Sequence, residues 1–358
     1  MRIVTIVGAR PQFIKAAVLS RHFAARTEWE EILVHTGQHY DANLSAVFFE
    51  ELAILEPTYN LRIGSGPHGQ QTGRMLEAIE EILIDVRPDW VLVYGDTNST
   101  LAGALAASKL HLRVAHVEAG LRSFNRRMPE EINRVLTDHI SDLLLCPSDT
   151  AVDNLTREGL TKNVYQVGDV MADALAFAVR HARLRSNILD RLQLAPEDYL
   201  LATVHRAENT NSRDRLESIF AAFKAIGETI VFPMHPRTLK SMHAYGIKEP
   251  ANVLRLEPIG YLDMVVLESE ARAILTDSGG VQKEAYWLSI PCITLRDETE
   301  WVETVNTGWN VLTGPDTVRI LSAVREMRIP SDHPTLYGDG RAGIKCLHYL
   351  TRNKGESA

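Results

Sequence analysis

A chain of 358 residues is long enough for two domains of ordinary size, each with its own core. Apolar residues make up 45% and charged residues 23%, the balance of a globular protein, and no apolar run reaches the roughly 18 residues of a membrane span. Acidic residues outnumber basic ones 46 to 38, giving a net charge of −8 and a pI near 5.9, which excludes a basic nucleic-acid footprint and a polybasic membrane anchor.

Short apolar runs alternate with helical spacing from end to end. In the first half the runs Arg2–Val7, Ile32–His35, Trp90–Tyr94, Arg113–Val117, Leu143–Cys146 and Val164–Val167 read as strands. Between them, Pro11–Ala25, Gln70–Val86, Ser99–Lys109, Glu130–Ile140 and Ala151–Glu158 carry helical periodicity. The scheme restarts with Leu200–Val204, Thr229–Phe232, Val253–Leu256, Ala273–Thr276, Cys292–Leu295 and Trp309–Leu312. Strands apolar on both faces, each followed by a helix, predict parallel sheets covered on both sides. The expected class is α/β, with two doubly wound, Rossmann-like domains facing a cleft. The boundary falls near Gly168–Leu184, which has no strand signal, so the domains are 1–170 and 171–338. The closing pattern Ala342–Leu350 is too short to be a domain and should dock on one.

The N-terminal apolar stretch Ile3–Val7 is cut short by Gly8-Ala9-Arg10-Pro11 and does not read as a signal peptide. Three widely spaced cysteines, Cys146, Cys292 and Cys346, argue against a disulfide framework and suit a reducing cytoplasm.

Ligands of open parallel sheets sit beyond the carboxyl ends of the strands, so residues just after each strand matter most. Thr276-Asp277-Ser278-Gly279-Gly280-Val281-Gln282-Lys283-Glu284 ends a strand, allows close backbone approach at two glycines and opens a helix whose free N–H groups suit phosphate. Glu284, a turn further on, could reach ribose hydroxyls; spacing alone equally allows a plain Ser278 cap. Three exits in the first half bring acids and cations: Gly8-Ala9-Arg10 with Lys15, Gly95-Asp96-Thr97, and Glu118-Ala119-Gly120, followed by Pro129-Glu130-Glu131. Singly, Asp96 and Glu130 read as caps and Lys15 as a solvated helix residue. Together, three acids that could raise one another's pKa and two cations read as acid–base machinery. After the first strand of the second half come His205-Arg206, and after the next His235-Pro236-Arg237, types suited to proton transfer and diphosphate binding. His35 and His39 lie on a strand and loop rather than one helix face, and HExxH is absent, so no metal is expected. Neither GxGxxG nor GxxxxGK[ST] occurs, which speaks against a nicotinamide cofactor and a P-loop. No cofactor is expected.

The segments GARPQFIK, TGQH, GDTNST, HVEAGLR, PEEINR, HRAEN, DSGGVQKEA and YGDG, in this order from residue 8 to residue 340, resemble the non-hydrolysing UDP-N-acetylglucosamine 2-epimerase family. The resemblance implies a GT-B-like fold, UDP held mainly by the second domain, a terminal helix (339–358) packed back on the first, and a homodimer acting on a UDP-sugar. It implies inversion at C2 by elimination and re-addition of UDP. Asp96, Glu118, Glu130 and His205 map to the catalytic set with Lys15 assisting, and Arg10, Arg206, His235, Ser278, Gly279, Gly280 and Glu284 to substrate and UDP binding. Three segments depart from the common bacterial pattern. The Ser123–Met128 loop is short, Tyr40-Asp41 follows Gln38-His39, and Glu300-Trp301-Val302-Glu303 lacks the Arg-Pro pair. These variants resemble the branch acting on UDP-2,3-diacetamido-2,3-dideoxyglucuronate, so the substrate stays open between that uronate and UDP-GlcNAc. A hydrolysing 2-epimerase and a GT-B glycosyltransferase are the rival activities, and a non-catalytic nucleotide-sugar sensor is the rival outside enzymology.

Overall fold

The computed structural model describes residues 1–38 and 56–353. The motif residue His39 and its neighbours Tyr40 and Asp41 lie outside the described residues, as do the last five positions. Two compact units emerge. One comprises Met1–Ala176 with Thr335–Ala358, and the other Phe177–Pro334. The sequence expectation had put these divisions at 170 and 338. The stretch Gly168–Leu184 is largely the helix Val170–Arg185, within which the first division falls.

The first unit is built on a seven-stranded parallel sheet. Its strands are β1 (Arg2–Val7), β2 (Glu30–His35), β3 (Tyr59–Asn60), β4 (Trp90–Tyr94), β5 (Val114–Val117), β6 (Leu143–Cys146) and β7 (Val164–Gln166), in the order β3-β2-β1-β4-β5-β6-β7. Only β3 escaped the sequence reading, because two residues cannot show an alternation. Strand β4 is buried along its whole length, as a strand covered by helices on both faces must be. On one face Val4, Ile6, Val91 and Val93 meet Met75, Ile79 and Leu83 and the alanines Ala102 and Ala106. The small alanines let the helix Asn98–Lys109 lie close to the sheet, and each fully buried Val or Leu contributes about 1.5–3 kcal/mol.

Register decides which residues emerge together. Val7 pairs with His35, Ile6 with Val93, and Tyr94 with Val117. The residues after these pairs, Gly8, Thr36, Gly95 and Glu118, therefore leave the sheet along one edge. Strand order reverses between β1 and β4, the switch point where helices on opposite faces part and leave a crevice.

The second unit repeats the plan with β8 (Leu200–Thr203), β9 (Ile230–Pro233), β10 (Val253–Leu256), β11 (Ala273–Thr276), β12 (Cys292–Thr294) and β13 (Asn310–Leu312), in the order β10-β9-β8-β11-β12-β13. Phe220, Phe223 and Phe232 fill its core with Leu200, Leu275 and Ile293. Thr203 pairs with Thr276 and Thr276 with Thr294, so His205, Asp277 and Arg296 follow strand ends on one edge.

The chain then returns to the first unit. Asp169 N–H donates to the Tyr337 carbonyl at 2.8 Å, and the Asp173 carboxylate accepts from the Ala342 and Gly343 N–H groups at 3.2 and 2.9 Å. That cap starts the helix Ala342–Arg352, which buries Cys346, Leu347 and Leu350 and packs on the helix Arg10–Ala24. All three cysteines are free and buried. Among the described residues no helix is long and apolar enough to cross a membrane.

Candidate active site

At the switch point of the first unit lies a cavity of about 540 Å³, lined by Ala9, Arg10, Gln38, His68, Asp96, Asn98, Glu130 and Asn133 among others. Its floor is a hydrogen-bonded turn. The Gln12 amide oxygen accepts from Gly8 N–H (2.8 Å) and Ala9 N–H (3.1 Å), while its NH₂ donates to the Tyr94 carbonyl (2.8 Å) and Thr100 Oγ1 (3.0 Å). One buried amide thus ties the β1 exit to the β4 exit. Gly8 is obligatory here, since an added Cβ would lie 2.0 Å from Ser99 Oγ and 2.4 Å from Thr36 Oγ1.

Asp96 follows β4 and pairs with Arg134, while its carbonyl accepts from Asn133 Nδ2 at 3.0 Å. Glu118 follows β5 and pairs with Lys15, both side chains only 12–13% exposed. Burial alone would lower the Lys15 pKa, but Glu118, with Asp169 and Asp96 behind it, outweighs burial and holds it above the ordinary value. Gly95, at φ +64°, leaves room for this pair: an added Cβ would sit 3.3 Å from Glu118 Oε2 and 3.6 Å from Lys15 Nζ. Glu130 is the second residue of the helix Pro129–Ile140 and opens onto the cavity. The acids therefore do not simply crowd one another; Asp96 and Glu118 each hold a cation. A carboxylate so paired is held in one orientation.

The loop before Glu130 is tethered by Glu131, whose carboxylate accepts from Ser123 N–H, Ser123 Oγ and Phe124 N–H, each at 2.9 Å. Burial opposes ionisation of Glu131, but these bonds and Arg134 hold its pKa below the ordinary value. Glu131 is thus committed to this loop and to Arg134. Arg126 and Arg127, in the same loop, are exposed.

In the second unit Asp277, fully buried, accepts from the N–H groups of His205 and Arg206 and from Asn209 Nδ2, all at 3.0–3.1 Å. One carboxylate thereby fixes the turn that carries His205. His205 Nδ1 lies 3.7 Å from Asp277 Oδ1, and its ring is 5.6 Å from that of His235. Burial, reinforced by His235, Arg206 and Arg237 against the pull of Asp277, holds the His205 pKa below the ordinary value. His205 is therefore a neutral base near pH 7. His235 caps the helix Pro236–Tyr245, its Nδ1 accepting from Arg237 N–H at 3.1 Å. In the neutral ring that leaves Nε2 as the donor.

Ser278 caps the helix Gly279–Trp287 through Val281 N–H, so the plain structural role is present. It leaves the first N–H groups of that helix, Gly279 and Gly280 among them, at its positive end. Around Gly279 stand Trp301 Nε1, Glu300 Oε2 and an Arg206 nitrogen, 3.4–3.8 Å from where a Cβ would be. Glu284 instead neighbours buried Glu268, which burial first, and then Glu284, holds well above the ordinary carboxyl pKa.

Sequence reasoning missed Gln12, Asn98, Asn133 and Arg134 in the first unit, and Arg296 and Glu300 in the second. Arg296, 3% exposed, forks onto Glu300 at 3.0 and 3.2 Å and aims it at Gly279. Strand-exit placement could have flagged Arg296 after β12; the helix polars gave no signal, because their role comes from reaching back to β4.

The family model described as UDP-N-acetylglucosamine 2-epimerase matches residues 21–351. A Methanococcus maripaludis protein called a UDP-N-acetylglucosamine 2-epimerase homolog is 54% identical, covering 98% of this chain and 99% of its own. The UDP-2,3-diacetamido-2,3-dideoxy-D-glucuronate 2-epimerase of Pseudomonas aeruginosa is 50% identical, covering 98% and 100%. Among solved structures, the Methanocaldococcus jannaschii UDP-GlcNAc 2-epimerase in complex with UDP-GlcNAc and UDP superposes with a TM-score of 0.85 at 44% identity, covering 99% and 100%.

Proposed function

The chain belongs to the UDP-N-acetylglucosamine 2-epimerase family, an isomerase family of GT-B-like fold, and from that premise we propose that it inverts C2 of UDP-GlcNAc without net hydrolysis. The observation that carries the reading is the group at the first unit's switch point: Asp96 with Arg134, Glu118 with Lys15, and Glu130 on the same cavity as Asp96. A C2 hydrogen without a neighbouring carbonyl is too weakly acidic for simple deprotonation. Elimination avoids the problem. A carboxylate takes the C2 proton, the C1–O bond breaks, its electrons leave with UDP, and a C1=C2 double bond forms. Return of UDP to C1 with a proton delivered to the opposite face of C2 gives the epimer. The oriented carboxylates of the first unit we assign to the proton steps, and in the second unit His205 is a neutral base. Arg206, His235, Ser278 and the Gly279–Gly280 amides of the second unit suit the diphosphate, which gains charge as it departs, and Arg10, on the first unit's cavity, we assign to substrate binding. Glu284 we assign to the nucleoside end, with Glu300 beside Gly279 as a further contact.

The reaction changes no oxidation state overall and calls for neither nicotinamide nor metal. We place it in the cytoplasm and in a homodimer. The helix Pro129–Ile140 exposes Ile132 and Leu136, each 47%, at helical spacing from the exposed Met128 that precedes it, and a second copy would cover this apolar stripe.

The test is incubation with UDP-GlcNAc in deuterated buffer containing EDTA, followed by NMR. Deuterium at C2 with UDP still attached is expected. Free sugar would mean a hydrolase, and no exchange without an acceptor would leave the transferase reading. A second substrate is favoured by the 50% identity to the uronate epimerase and by Arg126 and Arg127, exposed a few residues before Glu130. A uronate carries a carboxylate that such arginines would pair with. Running UDP-2,3-diacetamido-2,3-dideoxyglucuronate beside UDP-GlcNAc decides between them.

A further inference from the structure

His116 lies on β5, two residues before Glu118, and is fully buried. Its Nε2 is 2.7 Å from the Gly95 carbonyl and its Nδ1 is 2.7 Å from Asp138 Oδ1. A carbonyl oxygen can only accept, so Nε2 carries a proton. Asp138 Oδ2 accepts from Gly120 N–H at 3.1 Å and from Arg122 at 2.7 Å, which favours the ionised carboxylate. Burial resists that ionisation, but His116 and Arg122 together hold the Asp138 pKa below the ordinary value. Nδ1 faces that carboxylate, an acceptor for a second ring proton. Arg122 then forks onto Glu158 at 2.7 and 2.8 Å, so the contacts run in sequence through His116, Asp138, Arg122 and Glu158.

This chain of contacts grips every element that holds a candidate carboxylate. His116 holds Gly95, the residue before Asp96. Asp138 holds Gly120, two residues after Glu118, and rides on the helix that carries Glu130, Asn133 and Arg134. Between the two grips Glu118 sits at φ +72°, a left-handed conformation that a residue with a side chain keeps only where its surroundings enforce it.

We propose that His116 is a positioning residue: as a doubly protonated ring bonded to Gly95 and Asp138, it sets the relative placement of Asp96, Glu118 and Glu130 without touching substrate. The inference rests on the epimerase reading for its kinetic arm alone. Because the nucleotide is assigned to the other unit, loss of His116 should appear in the chemical step rather than in UDP binding.

The experiment uses the full chain labelled with ¹⁵N-histidine at pH 7, with His116→Phe to assign the signal. Both His116 nitrogens should show protonated shifts; a neutral tautomer overturns the proposal. In turnover, His116→Phe should lose about a hundredfold in kcat, the scale of a catalytic group displaced by about 1 Å. KM and the Kd for UDP should stay within about threefold. His116→Gln, which can still donate to Gly95, should recover part of the loss. A kcat within threefold of wild type, or a loss that merely follows the folded fraction, overturns it. If the Phe variant does not fold, Asp138→Asn, which keeps volume but removes the charge, should show the same kcat loss, and unchanged turnover there overturns the proposal. If the wild type turns over no UDP-sugar, the epimerase reading fails by itself, and the nitrogen spectrum still decides the state of His116.

Discussion

Replacing Lys15 by Met isolates the ion pair on which the first unit's site rests. Lys15 and Glu118 are 13% and 12% exposed, so removing the ammonium leaves a carboxylate in a poorly hydrated place with its main partner gone. Removing one member of a buried pair costs about 3–5 kcal/mol, and the residual exposure puts the expectation at the lower end, about 3 kcal/mol. The first unit is of a size for which each kcal/mol moves Tm by about 2–4 °C, so Lys15→Met should lower it by about 6–12 °C. Lys15→Met/Glu118→Gln removes the stranded charge as well and should regain most of that loss, with a coupling of about 1–3 kcal/mol in the cycle completed by Glu118→Gln. Urea titration of all four proteins with a common probe gives the cycle. A loss below about 1 kcal/mol for Lys15→Met, or a double variant no more stable than the single one, would refute the closed, shielded pair.

Asp96→Asn and Glu130→Gln should each lower kcat by at least about a hundredfold while leaving the circular dichroism spectrum near wild type; near-normal turnover in both removes the acid–base assignment. Arg126→Gln/Arg127→Gln should raise KM for the diacetamido-uronate far more than for UDP-GlcNAc, and equal effects would mean that the loop does not read a carboxylate. Because His205 is held below the ordinary imidazole value of about 6.5, kcat/KM should fall on acidification only below that pH, with the limb lost in His205→Asn. The same depression means that His205's part in stability is complete above the unfolded value and is lost as pH falls, since the unfolded chain takes the proton first; unfolding midpoints across that range should show the slope in wild type and not in the variant. Ile132→Asp/Leu136→Asp should convert a dimer to monomer in light scattering, and an unchanged mass would move the interface elsewhere.

The pattern of strands was open to reading because a sheet buried on both faces demands unbroken apolar runs, and Trp90–Tyr94 or Ala273–Thr276 can be little else. The motif segments likewise disclosed which residues follow strand ends, hence Asp96, Glu118, His205 and Ser278. The local sequence could not reveal partnership. Asp96 finds Arg134 and Glu118 finds Lys15 across gaps of 38 and 103 residues, pairings created when register brings β1, β4 and β5 out on one edge. Gln12 looked like any helix glutamine until its amide was seen bridging Gly8 and Tyr94. His116 read as part of a strand, and its buried contacts to Gly95 and Asp138 exist only once that strand lies between β4 and the helix Pro129–Ile140. Periodicity and strand ends are local properties that a short window of residues can carry. The charge, orientation and proton state of a side chain depend on what burial and packing set against it, and those neighbours are chosen by the tertiary fold.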